Sequence, residues 1–156
     1  TGCQPASDAG WREQGMGRLQ GLQTRELFER HPRLSLKHSG KAAAQRAPEG
    51  GETLIETRER VLEAWDRLRA DLRADETVIV VSHSGPISLL LGYLRDIPIT
   101  EAVLNHSQDN GAINQIRVDN STDDGTGSAG QTGDEASGVQ LVRENWTAYR
   151  EWGPES

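Results

Sequence analysis

The 156 residues carry 24 acidic and 17 basic side chains, a net charge of -7, with 34% hydrophobic and 4% aromatic residues. That length suits one domain, residues 1–156, with a modest core of Leu, Val, Ile, Ala and Trp. The acidic excess argues against nucleic acid and anionic membrane as partners, since both need a positive surface.

The single cysteine, Cys3, excludes an internal disulfide, and no Cys/His cluster has zinc-ligand spacing. A reducing cytoplasm is the expected compartment. There is no apolar run of ~20 residues and no charged-then-apolar leader. The chain opens on Thr1, so a processed, truncated or partial start is expected.

Residues 1–21 are rich in glycine and read as an extended or looping segment. A short helix is expected from Leu22 to Arg30, stopped by Pro32, and residues 33–51 read as an exposed crossing. The strongest helix signal runs from Thr53 to Arg73. Leu54, Val61, Trp65, Leu68 and Leu72 make one apolar stripe there, and Thr53 with Glu56 fits a capping box.

Val78, Ile79, Val80 and Val81 form a continuous β-branched run, the pattern of a central, parallel strand covered on both faces. Pro86 suits the first turn of a helix continuing through Leu94 to Arg95. Strand, tight turn at His83–Gly85 and helix thus follow in succession, which predicts an α/β fold. Ala112–Asp119 and Val139–Glu144 read as two paired strands. Residues 120–137 between them hold four Gly, four acids and no basic residue, and are expected to be a disordered loop. Trp146, Tyr149 and Trp152 are expected to dock as cover for the core.

In an open α/β sheet, ligands bind beyond the carboxyl ends of the strands, at helix N-termini. His83 is at such a place. The amides of Ser84 and Gly85, with the positive end of the helix dipole, form an anion site, and an imidazole beside it could stabilise developing phosphoryl charge. Near the N-terminus, Glu13 is followed by Gly15, Gly17 and Gly21.

Four segments in this order resemble the histidine phosphatase superfamily, which includes the cofactor-dependent phosphoglycerate mutases. Glu13-x-x-x-Gly17-x-Leu19-Gln20-Gly21-Leu22 is similar to its glutamate loop. Gly50-Gly51-Glu52-Thr53-Leu54 with Arg60-Val61 resembles its Gly-Glu-Ser helix start. Val80-Val81-Ser82-His83 resembles the second catalytic histidine, and Asn110-Gly111-Ala112-Ile113 the strand that follows. The resemblance covers residues 11–119. It implies a phosphoglycerate mutase-like three-layer sandwich, a mostly parallel sheet flanked by helices, here incomplete at the N-terminus.

The implied chemistry is two-step phosphoryl transfer to a histidine nucleophile from a phosphorylated small molecule. Glu13 would pass a proton to the leaving oxygen, and His83, with Ser84 and Gly85, would hold the phosphoryl group. Neither a metal nor a cofactor is called for, and no oligomeric state is implied. The family's Arg-His-Gly nucleophile motif occurs nowhere in the sequence, and Ser84 stands where the family has Gly. His31, His38 and His106 read as surface or loop histidines. Gln14, Gly15, Met16 and Thr24 replace the polar and basic substrate contacts of the mutases, so a phosphomonoesterase fits better than a phosphoglycerate mutase. A non-catalytic phosphate-binding remnant of the fold is the alternative from another class.

Overall fold

The structure, a computed structural model, describes residues 2, 4–119 and 138–150. The acidic 120–137 segment and Trp152 lie outside the described residues. The helices are α1 (Thr24–Arg30), α2 (Leu36–Ser39), α3 (Lys41–Ala44), α4 (Leu54–Asp71), α5 (Ser84–Leu94) and α6 (Ile99–Asn105). Two strands follow, β1 (Ile113–Val118) and β2 (Val139–Trp146). Among the described residues no helix is long and apolar enough to cross a membrane.

Helix α4 begins where its local chemistry says it should. The Thr53 hydroxyl accepts from the Glu56 backbone N–H at 3.0 Å, and the Glu56 carboxylate accepts from the Thr53 backbone N–H at 2.7 Å. Two donors that no helical turn could satisfy are thereby paired. Of the apolar stripe, Leu54, Val61 and Trp65 are buried and Leu68 packs beside them. Leu72 is the C-cap, just beyond the last helical turn.

Helices α4 and α5 carry the core together. Val61 and Trp65 meet Leu90 of α5 and Val139 of β2, while Leu54 meets Leu89 and Ala44. Removing each such leucine from water contributes ~1.5–3 kcal/mol. A Cβ on Gly92 would strike that of Ala102, so only glycine lets α5 and α6 approach this closely.

The crossing expected to be exposed is partly interior. Ser35, the N-cap of α2, and Ala43 and Ala44 of α3 are buried, and Ala44 packs against Leu54 of α4 and Leu89 of α5. At the N-terminus, the looping segment contains two single 3-10 turns, Ala9–Trp11 and Gly17–Leu19. Helix α1 starts two residues later than expected, and Pro32 opens a further 3-10 turn after it.

The paired strands are as the sequence suggests. β1 and β2 run antiparallel, with Ile116 opposite Leu141 and Val118 opposite Val139, and Ile116, Val118 and Val139 face the core. Tyr149, expected as cover, is half exposed beside Gly111.

The main correction concerns Val78–Val81. Among the described residues the sheet is two-stranded and antiparallel, and the β-branched run lies in no ladder. Its exposure alternates, 44% and 39% at Val78 and Val80 against 84% and 88% at Ile79 and Val81. This is the period of an extended strand with one face wholly uncovered. The apolar pattern is that of an interior strand, but pairing needs neighbours, and none of the described residues takes that place.

Candidate active site

The site forms where the loop around Glu13 meets the turn at His83. The loop's first turn starts at Asp8, whose carboxylate accepts from the Gly10 N–H at 2.6 Å. A Cβ on Gly10 would strike that of Ala64, so this turn seats directly on α4. The Ser82 hydroxyl then donates to the Trp11 carbonyl at 2.6 Å. That bond ties the residue before His83 to the chain two residues ahead of Glu13.

Farther along, the loop is laced to the segment preceding α4. The Glu52 N–H donates to the Gly15 carbonyl at 2.8 Å, the Gly15 N–H to the Glu52 carboxylate at 2.9 Å, and Gln14 Nε2 to the Glu52 carbonyl at 2.8 Å. Gly17 has φ 51°, and a Cβ there would run into the Glu49 carbonyl, so the glycine permits both the turn and the contact.

Arg60 of α4 closes the arrangement. Its Nη1 donates to the carbonyls of Ala9, Gly10 and Arg12 at 3.2, 2.8 and 3.1 Å, while Nε and Nη2 reach the Glu52 carboxylate at 3.1 and 3.0 Å. Arg12 adds a contact to Glu52 at 2.5 Å. Burial acts to raise the Glu52 pKa, but the hydrogen bonds from Arg60 and Gly15 and the charges of Arg60 and Arg12 together hold it below the ordinary glutamate value.

Glu13 is presented by this laced loop with its carboxylate against Gly85. A Cβ on Gly85 would collide with Glu13 Oε1 and lie 3.3 Å from Cδ. The same Oε1 accepts from the Gln14 N–H at 2.9 Å. His83 is the N-cap of α5, extended at φ -114° and ψ 164°, with its side chain exposed and not engaged in capping. The amides of Ser84 and Gly85 have no acceptor within the helix, and Pro86 has no N–H, so the anion-attracting end of α5 opens beside Glu13.

Ser84 is braced from the other side. Its Oγ accepts from the Gln108 N–H at 3.1 Å, which leaves the hydroxyl proton free to donate elsewhere. Asn114 Nδ2 donates to Gln108 Oε1 and the Asn145 N–H to Asn114 Oδ1, both at 2.8 Å. The hairpin is thereby linked to the start of α5.

Glu13, His83, Ser84 and Gly85 therefore converge on one end of α5. His31 and His38 sit on α1's C-cap and α2, outside this convergence. His106 follows α6, where its carbonyl accepts from the Ser88 hydroxyl. The motif reading did not assign roles to Ser82, Glu52, Arg60 or the Gln108–Asn114 bridge. Glu52 and Arg60 were visible as parts of one motif, but their grip on the Glu13 loop is a long-range contact with no periodic signature.

A sequence description of the histidine phosphatase superfamily (branch 1) matches residues 1–125. The chain belongs to that superfamily. Among solved structures, one titled mycobacterial hydrolase 1 aligns with 90% of this chain at 22% identity and a TM-score of 0.58. The native structure of a mycobacterial glucosyl-3-phosphoglycerate phosphatase aligns with 70% at 24% identity and a TM-score of 0.52. The same phosphatase in complex with inorganic phosphate aligns with 67% at 26% identity and a TM-score of 0.50. The chain spans 64% of the length of the first of these proteins, 54% of the second and 53% of the third. No curated protein matches it.

Proposed function

We propose that this histidine phosphatase chain supplies the proton-donating and phosphate-binding half of a phosphomonoester-hydrolysing site. The observation that carries the proposal is the Glu13 carboxylate resting on Gly85 at the positive end of α5, beside His83. A carboxyl group beside the phosphoryl site is placed to give the leaving oxygen a proton when it is in its protonated form. That is the form an acid needs.

In the reaction, a histidine nitrogen attacks phosphorus and the bond to the leaving oxygen breaks as Glu13 gives that oxygen its proton. Water then attacks the phosphohistidine, Glu13 takes a proton back, and inorganic phosphate leaves. His83, the Ser84 hydroxyl and the amides of Ser84 and Gly85 hold the equatorial oxygens throughout. In this reading the nucleophile is the histidine of an Arg-His-Gly segment, a motif that does not occur among these residues. Such a segment would also give Val78–Val81 its strand neighbours and complete a three-layer sandwich. The likeness to a phosphatase solved with phosphate supports a phosphorylated small molecule as the substrate.

The test has two arms. Vanadate titrated into the 156-residue chain should shift the His83 ring resonances, and His83→Ala should abolish saturable binding. The chain alone should leave p-nitrophenyl phosphate intact. Hydrolysis that survives His83→Ala would show that this mechanism is wrong. A second reading is a phosphate-binding remnant of the fold. Tight vanadate binding without turnover in a protein that does carry an Arg-His-Gly segment would support it.

A further inference from the structure

We propose that Arg60 and Glu52 are positioning residues that hold Glu13 over Gly85. This deepens the preceding reading, in which Glu13 handles the leaving group's proton. One nitrogen of Arg60 gathers the carbonyls of Ala9, Gly10 and Arg12, three oxygens of a single loop turned toward one point. The opposite edge of the guanidinium grips both oxygens of Glu52. Glu52 in turn takes the Gly15 N–H and the Arg12 guanidinium.

Arg12 just before Glu13 and Gly15 two residues after it are thus fastened to one guanidinium–carboxylate pair. Between them, the Glu13 side chain takes no part in the clamp and projects to Gly85. Arg60 and Glu52 are mostly buried, with side-chain exposures of 16% and 19%, whereas Arg12 at 47% is open to solvent. Water therefore competes poorly for the pair. A planar guanidinium offers five donors, enough for carbonyls on one edge and both carboxylate oxygens on the other, whereas an ammonium offers three.

The test follows the Gly85 amide by NMR while pH is carried through the carboxylate range. In the parent chain its resonance should move with Glu13 ionisation, and Glu13→Gln should remove that response. Glu52→Gln and Arg60→Lys should each shrink it more than twofold, with the amides of the last two turns of α4 unshifted. Should Arg60→Lys fail to fold, Glu52→Gln, nearly the same in shape, carries the measurement. Thermal midpoints recorded alongside separate the roles. A lowered midpoint with the Gly85 response intact marks the pair as merely structural and overturns the proposal, as does a Gly85 response that persists in Glu13→Gln. If the response behaves as expected but Glu13→Gln leaves turnover unchanged in the nucleophile-bearing protein, the catalytic reading fails while the positioning stands.

Discussion

The carboxylate of Glu13 occupies the space that a side chain on Gly85 would need. Gly85→Ala should therefore push the carboxylate off the helix end. Alanine is compatible with the first turn of α5, so the change in stability should stay within about 0.5 kcal/mol. In the protein bearing the nucleophile, kcat should fall at least ~10-fold, since positioned proton transfer contributes about 10²- to 10⁴-fold. Steady-state kinetics beside a thermal melt checks both, and an unchanged kcat would disprove the contact's relevance.

Glu13→Gln tests the acid itself. A proton matters most when the leaving oxygen is basic, so the loss should approach ~10²- to 10⁴-fold for an alkyl phosphate. For p-nitrophenyl phosphate, whose leaving group needs little protonation, the loss should be much smaller. Equal losses on both substrates would argue that Glu13 binds instead of donating.

Glu52 gives the site an acid limit. Burial opposes its ionisation, but Arg60, the Gly15 N–H and Arg12 outweigh that and lower its pKa from 4.5. A carboxylate depressed in the folded state contributes stability that is present above the ordinary glutamate value and lost as pH falls through the lowered one. The difference in unfolding free energy between the parent and Glu52→Gln should thus be constant near neutrality and shrink below about pH 4. Urea unfolding at a series of pH values measures it; a difference that grows on acidification would contradict the clamp.

Thr53 caps α4 on both of its hydrogen-bonding functions, accepting from the Glu56 N–H and donating to the Glu56 carboxylate at 2.9 Å. Thr53→Ala should cost about 1 kcal/mol. Because α4 carries Arg60, the variant should also weaken vanadate binding. Chemical denaturation and the vanadate titration together read the two effects.

Among the described residues no strand pairs with Val78–Val81, and with Ile79 and Val81 exposed this extended segment is a template for association between copies. Val81→Lys should raise the protein concentration at which light scattering sets in, with little effect on the melt. Scattering that begins at the same concentration would place the associating surface elsewhere.

Much of the local structure was legible because its causes lie within a few residues of one another. The Thr53–Glu56 box and the stripe through Val61 and Trp65 both belong to one helix, and periodicity alone reports which of its faces is apolar. The β1–β2 pair was legible from its apolar content, and the place of His83 at the start of a helix from the succession of extended run, turn and helix. The sequence also carried Glu13 and the Glu52–Arg60 segment as motifs in order, enough for the superfamily.

What the tertiary structure decided was which of these parts touch. Ser82 reaches the Trp11 carbonyl, Gln108 the Ser84 hydroxyl, and Arg60 three carbonyls of the Glu13 loop, all side chain–backbone bonds between distant segments. A carbonyl is the same in every residue, so no pattern of side chains announces such bonds. Val78–Val81 shows the opposite limit. Its composition states that it belongs in an interior, but a strand's burial is a property of the neighbours that pair with it and cover it, and those are decided only in three dimensions.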